Sequence, residues 1–93
     1  MDVKEAVAVA KRYIAELLAD EGLTNLGLEE IDHDDTAGVW HVTLGFSRPW
    51  NTVKNALTAL TGDLGTARRT YRVVTLRDAD GVVLSVKRRD SQD

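Results

Sequence analysis

Apolar residues recur every three or four positions at the start of the chain, a spacing that predicts an amphipathic helix over residues 2–21. Asp2 followed by Glu5 matches the residue types of a capping box, and Gly22 is suited to end the helix in a left-handed conformation. The apolar stripe predicted to face the core consists of Val3, Val7, Ala10, Ile14, Leu17 and Leu18.

The pattern then changes to an alternation of period two, which predicts β-strands at residues 28–33 and 39–46 around a polar turn at 34–38. The second of these strands places Trp40, Val42, Leu44 and Phe46 on one face. Pairing Ile31 with Val42 adds Ile31 to that face and puts Asp32 opposite His41. A slip of one residue would bury acidic side chains, so burial favours this register.

A second hairpin is predicted from strands at 68–77 and 82–88, joined by Asp78-Ala79-Asp80-Gly81 with Gly81 at positive φ. Simple alternation assigns one face to Val74, Leu76, Val82, Leu84 and Val86. The opposite face, called the reverse face below, receives Tyr71, Val73, Thr75, Val83, Ser85 and Lys87.

Between the hairpins, Pro49 ends the preceding strand because proline has no amide hydrogen for the ladder. The segment 50–64 has apolar residues at helical spacing, although its threonines lower helix propensity, so a short helix and a loop both remain open. The predicted fold is a single α+β domain over residues 1–93. Its N-terminal helix packs on a four-stranded antiparallel sheet, in the order α-β-β-(short α or loop)-β-β.

Composition narrows the class of protein. The chain has no cysteine, which excludes disulfides and thiolate metal sites. No apolar run approaches the roughly 20 residues needed to span a bilayer, and the N-terminus does not have the pattern of a signal peptide. We therefore expect a cytoplasmic protein without membrane contact.

Charge is divided unevenly along the chain. Residues 1–46 carry three basic and ten acidic side chains, a net charge of −7, whereas residues 47–93 carry nine basic and five acidic side chains, a net charge of +4. Either the two halves neutralise each other within one sheet, or the second half binds a polyanion. The first interpretation is favoured.

The sequence offers little for catalysis. His33 and His41 are the only imidazoles, and strand alternation places them on opposite faces. The Asp78-Ala79-Asp80-Gly81 run begins like a calcium loop, but Lys87 stands where an acidic ligand is needed. No serine or threonine has a recognisable base beside it. We expect no enzyme activity, no catalytic residue, no cofactor and no metal.

Binding is the function class that remains. The reverse face is more apolar than solvation alone requires, which is typical of a contact site for another protein or for a second copy. The alternative is that segment 50–64 folds over this face. Nucleic-acid binding by the basic hairpin is a less favoured possibility, since Tyr71 is nearly alone as a base-stacking residue. The candidate partner-binding residues are Arg48, Pro49, Trp50, Arg69, Tyr71, Arg72, Val73 and Val83.

The leading helix and the closing run Val-Val-Thr-Leu-Arg-Asp-Ala-Asp-Gly-Val-Val-Leu-Ser-Val-Lys (73–87) resemble PepSY-like domains and, more widely, cystatin-like α+β folds. The resemblance covers residues 2–21 and 69–88 best, and the stretch 40–50 is similar to segments of small bacterial proteins. PepSY domains are commonly extracytoplasmic and are linked to the inhibition or regulation of proteases. The resemblance implies a non-catalytic binding role, with no individual functional residue carried over.

Overall fold

The computed structural model describes residues 1–47 and 69–89, and these form one helical layer on one antiparallel sheet. The four strands lie in the order in which they occur along the chain. This arrangement confirms the predicted α+β architecture, while segment 50–64, for which a short helix and a loop both remained open, lies outside the described residues. The elements are α1 (Val3–Leu17), a 3-10 turn (Ala19–Glu21), β1 (Thr24–Asp34), β2 (Val39–Ser47), β3 (Thr70–Arg77) and β4 (Val83–Arg88).

Helix α1 begins at the predicted capping box. The Asp2 carboxylate accepts a hydrogen bond from the backbone N–H of Glu5 at 2.8 Å, and the Glu5 side chain accepts one from the N–H of Asp2 at 2.9 Å. These two bonds satisfy donors that a helix end leaves without intrahelical partners. After the 3-10 turn, Gly22 takes φ +66°, the left-handed conformation predicted for it.

The buried stripe of α1 differs from the predicted one. Ala6, Ala10 and Ile14 are fully buried, whereas Val3 and Leu17 are 47% and 54% exposed. The sequence pattern is wide enough to fit either stripe, and contact with the sheet selects the one centred on Ala10. Small alanines at the contact let the helix backbone approach the sheet closely.

The core lies between α1 and one face of the sheet. The predicted register is confirmed: Ile31 pairs with Val42 and Asp32 with His41. β2 pairs with β3 so that Val42 lies opposite Val74. Because side chains alternate between faces, one set of apolar residues meets the helix. The buried residues of the sheet on this side are Trp40, Val42, Leu44, Phe46, Val74 and Leu76.

The predicted faces of β4 are wrong in part. The register shifts by one residue between the pairs Thr75–Ser85 and Leu76–Val83, a β-bulge that leaves Leu84 unpaired. Val83 therefore packs against the core on the helix side, not on the reverse face with Tyr71. Val82 and Leu84, predicted to be in the core, are 45% and 48% exposed.

The two hairpin turns meet at one end of the sheet. The Asp34 carboxylate accepts hydrogen bonds from the N–H groups of Thr36 and Ala37, both at 3.0 Å, which closes the first turn. The backbone N–H of Asp78 donates to the carbonyl of Gly38 at 2.9 Å and joins the second turn to the first. Gly81 takes the predicted positive φ, at +73°. The two turns are thus held together by the backbone itself.

Candidate protein-interaction surfaces

The structure divides the predicted partner-binding residues between the two sides of the sheet. Tyr71 pairs with Gly45 and Val73 with Thr43, which places both on the reverse face. Arg72 pairs with Leu44 and therefore lies on the helix side. Val83 is also on the helix side, as described above. Arg48, Pro49 and Trp50 lie outside the described residues.

Arg69 lies on the reverse face and connects β3 to β1. Its Nη1 donates to the carbonyl oxygen of Asn25 at 3.2 Å, and its Nη2 lies 3.4 Å from Glu29 Oε2. The side chain crosses β2 above Gly45, where an added Cβ atom would lie 2.8 Å from Arg69 Nη2. Glycine at position 45 is therefore what leaves room for this bridge.

Arg89 makes a second bridge across the same face. Its guanidinium carbon lies 5.9 Å from the centre of the Tyr71 ring, within the range of a cation–π contact. Its Nη1 lies 3.9 Å from Glu30 Oε1. The basic second half of the chain is thus joined to acidic β1 across the sheet. These ion pairs agree with the favoured interpretation of the sequence, in which the acidic and basic halves neutralise each other within one sheet.

The reverse face is less open than the sequence pattern predicts. On β2, Val39 and Thr43 pair with Arg77 and Val73, which places them on this face, and both are buried. Tyr71 and Val73 are only partly exposed. His41 Nδ1 lies 3.0 Å from Thr75 Oγ1, so the imidazole is hydrogen-bonded to the next strand. The large hydrophobic side chains that are most exposed lie elsewhere in the described part of the chain.

Two of those exposed side chains, Tyr13 and Val82, border a groove between α1 and β4. The groove has a volume of about 320 Å³ and lies at the start of β4. Tyr13, 39% exposed, borders it on the helix side, and Val82 borders it on the strand side. Its lining consists of Val9, Arg12, Tyr13, Glu16, Gly81, Val82 and Val83. The lining is mostly apolar and includes one cation and one anion, a composition that protein-binding sites often have.

This groove was not predicted from the sequence. A signal for it exists on α1, since Val9, Tyr13 and Leu17 follow at steps of four beside the stripe that enters the core. On the strand side no comparable signal exists. The bulge that exposes Leu84 interrupts the alternation from which faces are assigned.

A polar cluster fixes the end of the sheet near the groove. The indole Nε1 of Trp40 donates to Asp78 Oδ1 at 2.8 Å, and the amino group of Met1 lies 3.6 Å from the same oxygen. The Trp40 hydrogen bond, helped by the positive charge at Met1, lowers the pKa of Asp78 below its ordinary value of 3.8. In the same turn, Arg77 holds the pKa of Asp80 below its ordinary value through two hydrogen bonds at 3.1 and 3.2 Å.

The two histidines lie on opposite faces, as predicted. His33 pairs with Trp40, its ring centre 4.4 Å from the indole, and its Nδ1 lies 2.8 Å from Asp35 Oδ1. Within residues 1–47 and 69–89, no group of three or more histidine or acidic side chains has the arrangement of a metal site. Helix length and hydropathy in these same ranges give no candidate for a membrane span.

Comparison of the chain with protein-family models, with curated proteins and with solved structures finds no match. Function is therefore inferred from the surfaces of the described residues. Two are distinctive: the reverse face, bridged by ion pairs from β3 and β4 to β1, and the apolar groove between α1 and β4.

Proposed function

We propose that this chain is a non-catalytic protein-interaction module that binds another polypeptide in the groove between α1 and β4. The single observation that carries the proposal is the exposure of Tyr13 and Val82 on the two sides of one concave apolar site. Burying such side chains against a partner removes apolar surface from water, the main favourable term in protein association. Regulation or inhibition of the bound protein is the role assigned to the module.

The chemistry of the groove supports this use. Tyrosine is among the residues that contribute most to binding energy, because its ring buries a large area and its hydroxyl group still forms hydrogen bonds. Arg12 and Glu16 are one helical turn apart beside Tyr13 and offer both charges to a partner. β4, at the end of the sheet, adds main-chain groups that an extended segment can pair with.

The ion pairs of the reverse face favour the groove over that face as the binding site. Arg69, Arg77 and Arg89 each lie within 4 Å of a carboxylate, so a ligand of these arginines has to displace an existing partner. The same pairing weighs against the alternative of nucleic-acid binding, which depends on basic groups free to contact phosphates. The resemblance to PepSY-like domains stays a prediction that points to the same class of function, and a cytoplasmic location belongs to the same proposal.

An affinity experiment with identified partners tests the proposed site. The immobilised wild-type chain captures its partner, and the affinity of that partner is then measured for Tyr13→Glu and for the matched control Ala8→Glu. Both substitutions add one negative charge to an exposed position of α1, and only Tyr13 lines the groove. We expect Tyr13→Glu to weaken binding at least about tenfold, the effect of losing a central contact residue.

Two further variants locate the site if binding occurs elsewhere. Val82→Asp changes the strand side of the groove, and Val73→Asp changes the reverse face. Loss of binding in Val73→Asp with normal binding in Tyr13→Glu and Val82→Asp assigns the interaction to the reverse face and refutes the groove. Circular dichroism of each variant establishes that the fold is retained.

A further inference from the structure

Glycine follows an aspartate or asparagine at one place in the sequence, at Asp80-Gly81 in the turn between β3 and β4. Such a pair is chemically labile, because glycine has no side chain to shield its amide nitrogen from the neighbouring aspartyl group. Gly81 takes φ +73°, and an added Cβ atom would lie 2.9 Å from Met1 Cε. Asp80 Oδ1 accepts a hydrogen bond from the N–H of Val82 at 3.1 Å. The geometry of the turn therefore favours both members of the labile pair.

The reaction open to this pair is an isomerisation of the main chain. The Gly81 nitrogen bonds to Asp80 Cγ, the bond from Cγ to the hydroxyl group breaks, and the amide proton leaves with that hydroxyl group as water. Water then opens the succinimide ring at the main-chain carbonyl carbon of Asp80. The product is isoaspartate, in which the chain passes through the side chain of residue 80. Water is released in the first step and consumed in the second, so the mass is unchanged and no other reactant is needed.

The Arg77 side chain holds the carboxyl group of Asp80 in its unreactive form. Arg77 Nε donates to Oδ1 at 3.1 Å and Nη2 to Oδ2 at 3.2 Å, a paired contact that favours the ionised carboxylate. Ring closure needs the protonated acid, because hydroxide is lost from a neutral carboxyl group and not from a carboxylate. The contacts of Arg77, followed by that of Val82, hold the pKa of Asp80 below its ordinary value of 3.8. The protonated fraction is therefore smaller at any pH above that value.

The same residue also holds the second reacting group. The N–H of Gly81 donates to the carbonyl oxygen of Arg77 at 2.8 Å, and the N–H of Arg77 donates to the carbonyl oxygen of Val82 at 2.9 Å. We propose that Asp80 is a site of spontaneous isoaspartate formation and that Arg77 suppresses this reaction in the folded chain. The proposal concerns the chemistry of the turn and does not depend on binding in the groove. Gly81 and Val82 also line that groove, so the rearranged turn would alter one of its sides.

Ageing of the purified chain in mildly acid buffer tests the proposal. Isoaspartate is measured by reversed-phase chromatography of the proteolytic peptide that contains residues 78–87, with fragmentation that locates the rearranged bond. We expect Arg77→Ala to form isoaspartate at residue 80 at least about threefold faster than the wild type, a factor that corresponds to the loss of an exposed ion pair. Arg77→Lys is expected to be intermediate, since an ammonium group keeps the charge without the paired contact.

Two control variants separate the contact of Arg77 from other effects. Arg88→Ala removes one cation at the far end of β4 and changes the net charge by the same amount, so it is expected to age like the wild type. Asp80→Glu lengthens the side chain, which would then have to close a larger ring, and is expected to give no rearranged product at this position. Circular dichroism before ageing establishes that each variant is folded. Wild-type chain unfolded in guanidinium chloride is expected to react at least as fast as Arg77→Ala.

Each half of the proposal has an outcome that overturns it. Equal rates of isoaspartate formation in Arg77→Ala and Arg88→Ala would show that Arg77 does not protect the turn. Absence of isoaspartate at Asp80 in the unfolded wild-type chain would show that this residue is not a site of the reaction. Faster rearrangement in Arg77→Ala, together with the unfolded wild-type chain reacting at least as fast, supports both the site and its protection by the fold.

Discussion

The two faces of the sheet are built from alternate residues of the same strands but are stabilised by different interactions. On the helix side, Leu44 and Phe46 of β2 are fully buried against apolar neighbours. On the reverse side, Gly45 of that strand lies beneath Arg69, Glu29 and Tyr71, and the first two of these side chains form an ion pair. The helix side is stabilised by the burial of apolar surface, and the reverse side by ion pairs and hydrogen bonds between polar side chains.

This difference decides where a partner can bind. The part of the helix side that α1 covers is close-packed and removed from water, so it has no surface left for a partner. The ion pairs of the reverse face use the cations that a ligand would need. Among residues 1–47 and 69–89, what remains is the margin of the helix side, where α1 covers β4 incompletely and Val82 and Tyr13 stay exposed. The proposed binding site thus follows from incomplete cover of one face.

The largest effect on the free energy of unfolding is expected from substitutions at neighbouring residues on the two faces. Leu44→Ala removes a fully buried side chain and is expected to lower the free energy of unfolding by about 2–5 kcal/mol. Thr43→Ala, on the reverse face, is expected to cost about 1 kcal/mol. Urea denaturation of both variants measures the difference. Equal losses would show that the reverse face is packed as tightly as the core.

A pair of glycines tests the bridge formed by Arg69. A Cβ atom on Gly45 would lie 2.8–2.9 Å from atoms of Arg69, Glu29 and Tyr71, so Gly45→Ala has to displace them. We expect a loss of about 1–3 kcal/mol in unfolding free energy. Its register partner Gly27 has room, with the nearest atom at 3.8 Å, so Gly27→Ala is the control and is expected to change stability by less than about 0.5 kcal/mol.

Comparing the two glycine variants shows whether the bridge formed by Arg69 contributes to stability. If Gly45→Ala is as stable as Gly27→Ala, the Arg69 side chain leaves its position at no cost, and the bridge contributes nothing to stability. In that case the reverse face becomes available to a ligand, and the preference for the groove over that face loses its support.

The smallest expected effect is a change in the acid dependence of stability. The folded-state pKa of Asp78 is lowered, chiefly by the hydrogen bond from Trp40. A lowered pKa contributes stability above the ordinary value near 3.8, and this contribution is lost as the pH falls through the folded-state pKa. Asp78→Asn is therefore expected to reduce the slope of unfolding free energy against pH in the acid range.

The control for this measurement is Asp20→Asn, which removes one carboxylate beyond the C-terminal end of α1. Both variants change the net charge by the same amount, so the comparison isolates the contacts of Asp78. A slope that falls equally in both variants would contradict a specific role for the hydrogen bond from Trp40.

Local signals predicted much of the fold. The capping box at Asp2, the left-handed Gly22 and the positive φ of Gly81 were all predicted, because each depends on neighbours within a few residues. The pairing of Ile31 with Val42 was also correct, because only that register buries apolar instead of acidic side chains.

The wrong predictions concern segments in which the pattern of apolar residues is compatible with two arrangements. The bulge at Leu84 moves Val83 to the helix side, and no residue type in that run marks the position of an extra residue. Val3 and Leu17 were predicted to face the core with Ala10, and their exposure depends on where the helix meets the sheet. The groove was not predicted for the same reason, because its helix side depends on the orientation of α1 and its strand side on the register of β4.

By itself the sequence determined the types of the described elements, the strand register of the first hairpin and the turns. Each follows from local propensity or from the alternation of apolar and polar residues. The tertiary structure alone decided which arginines are bridged across Gly45 and which apolar residues beside β4 stay uncovered. Both depend on distances between residues far apart in the chain, and a linear pattern does not encode such distances.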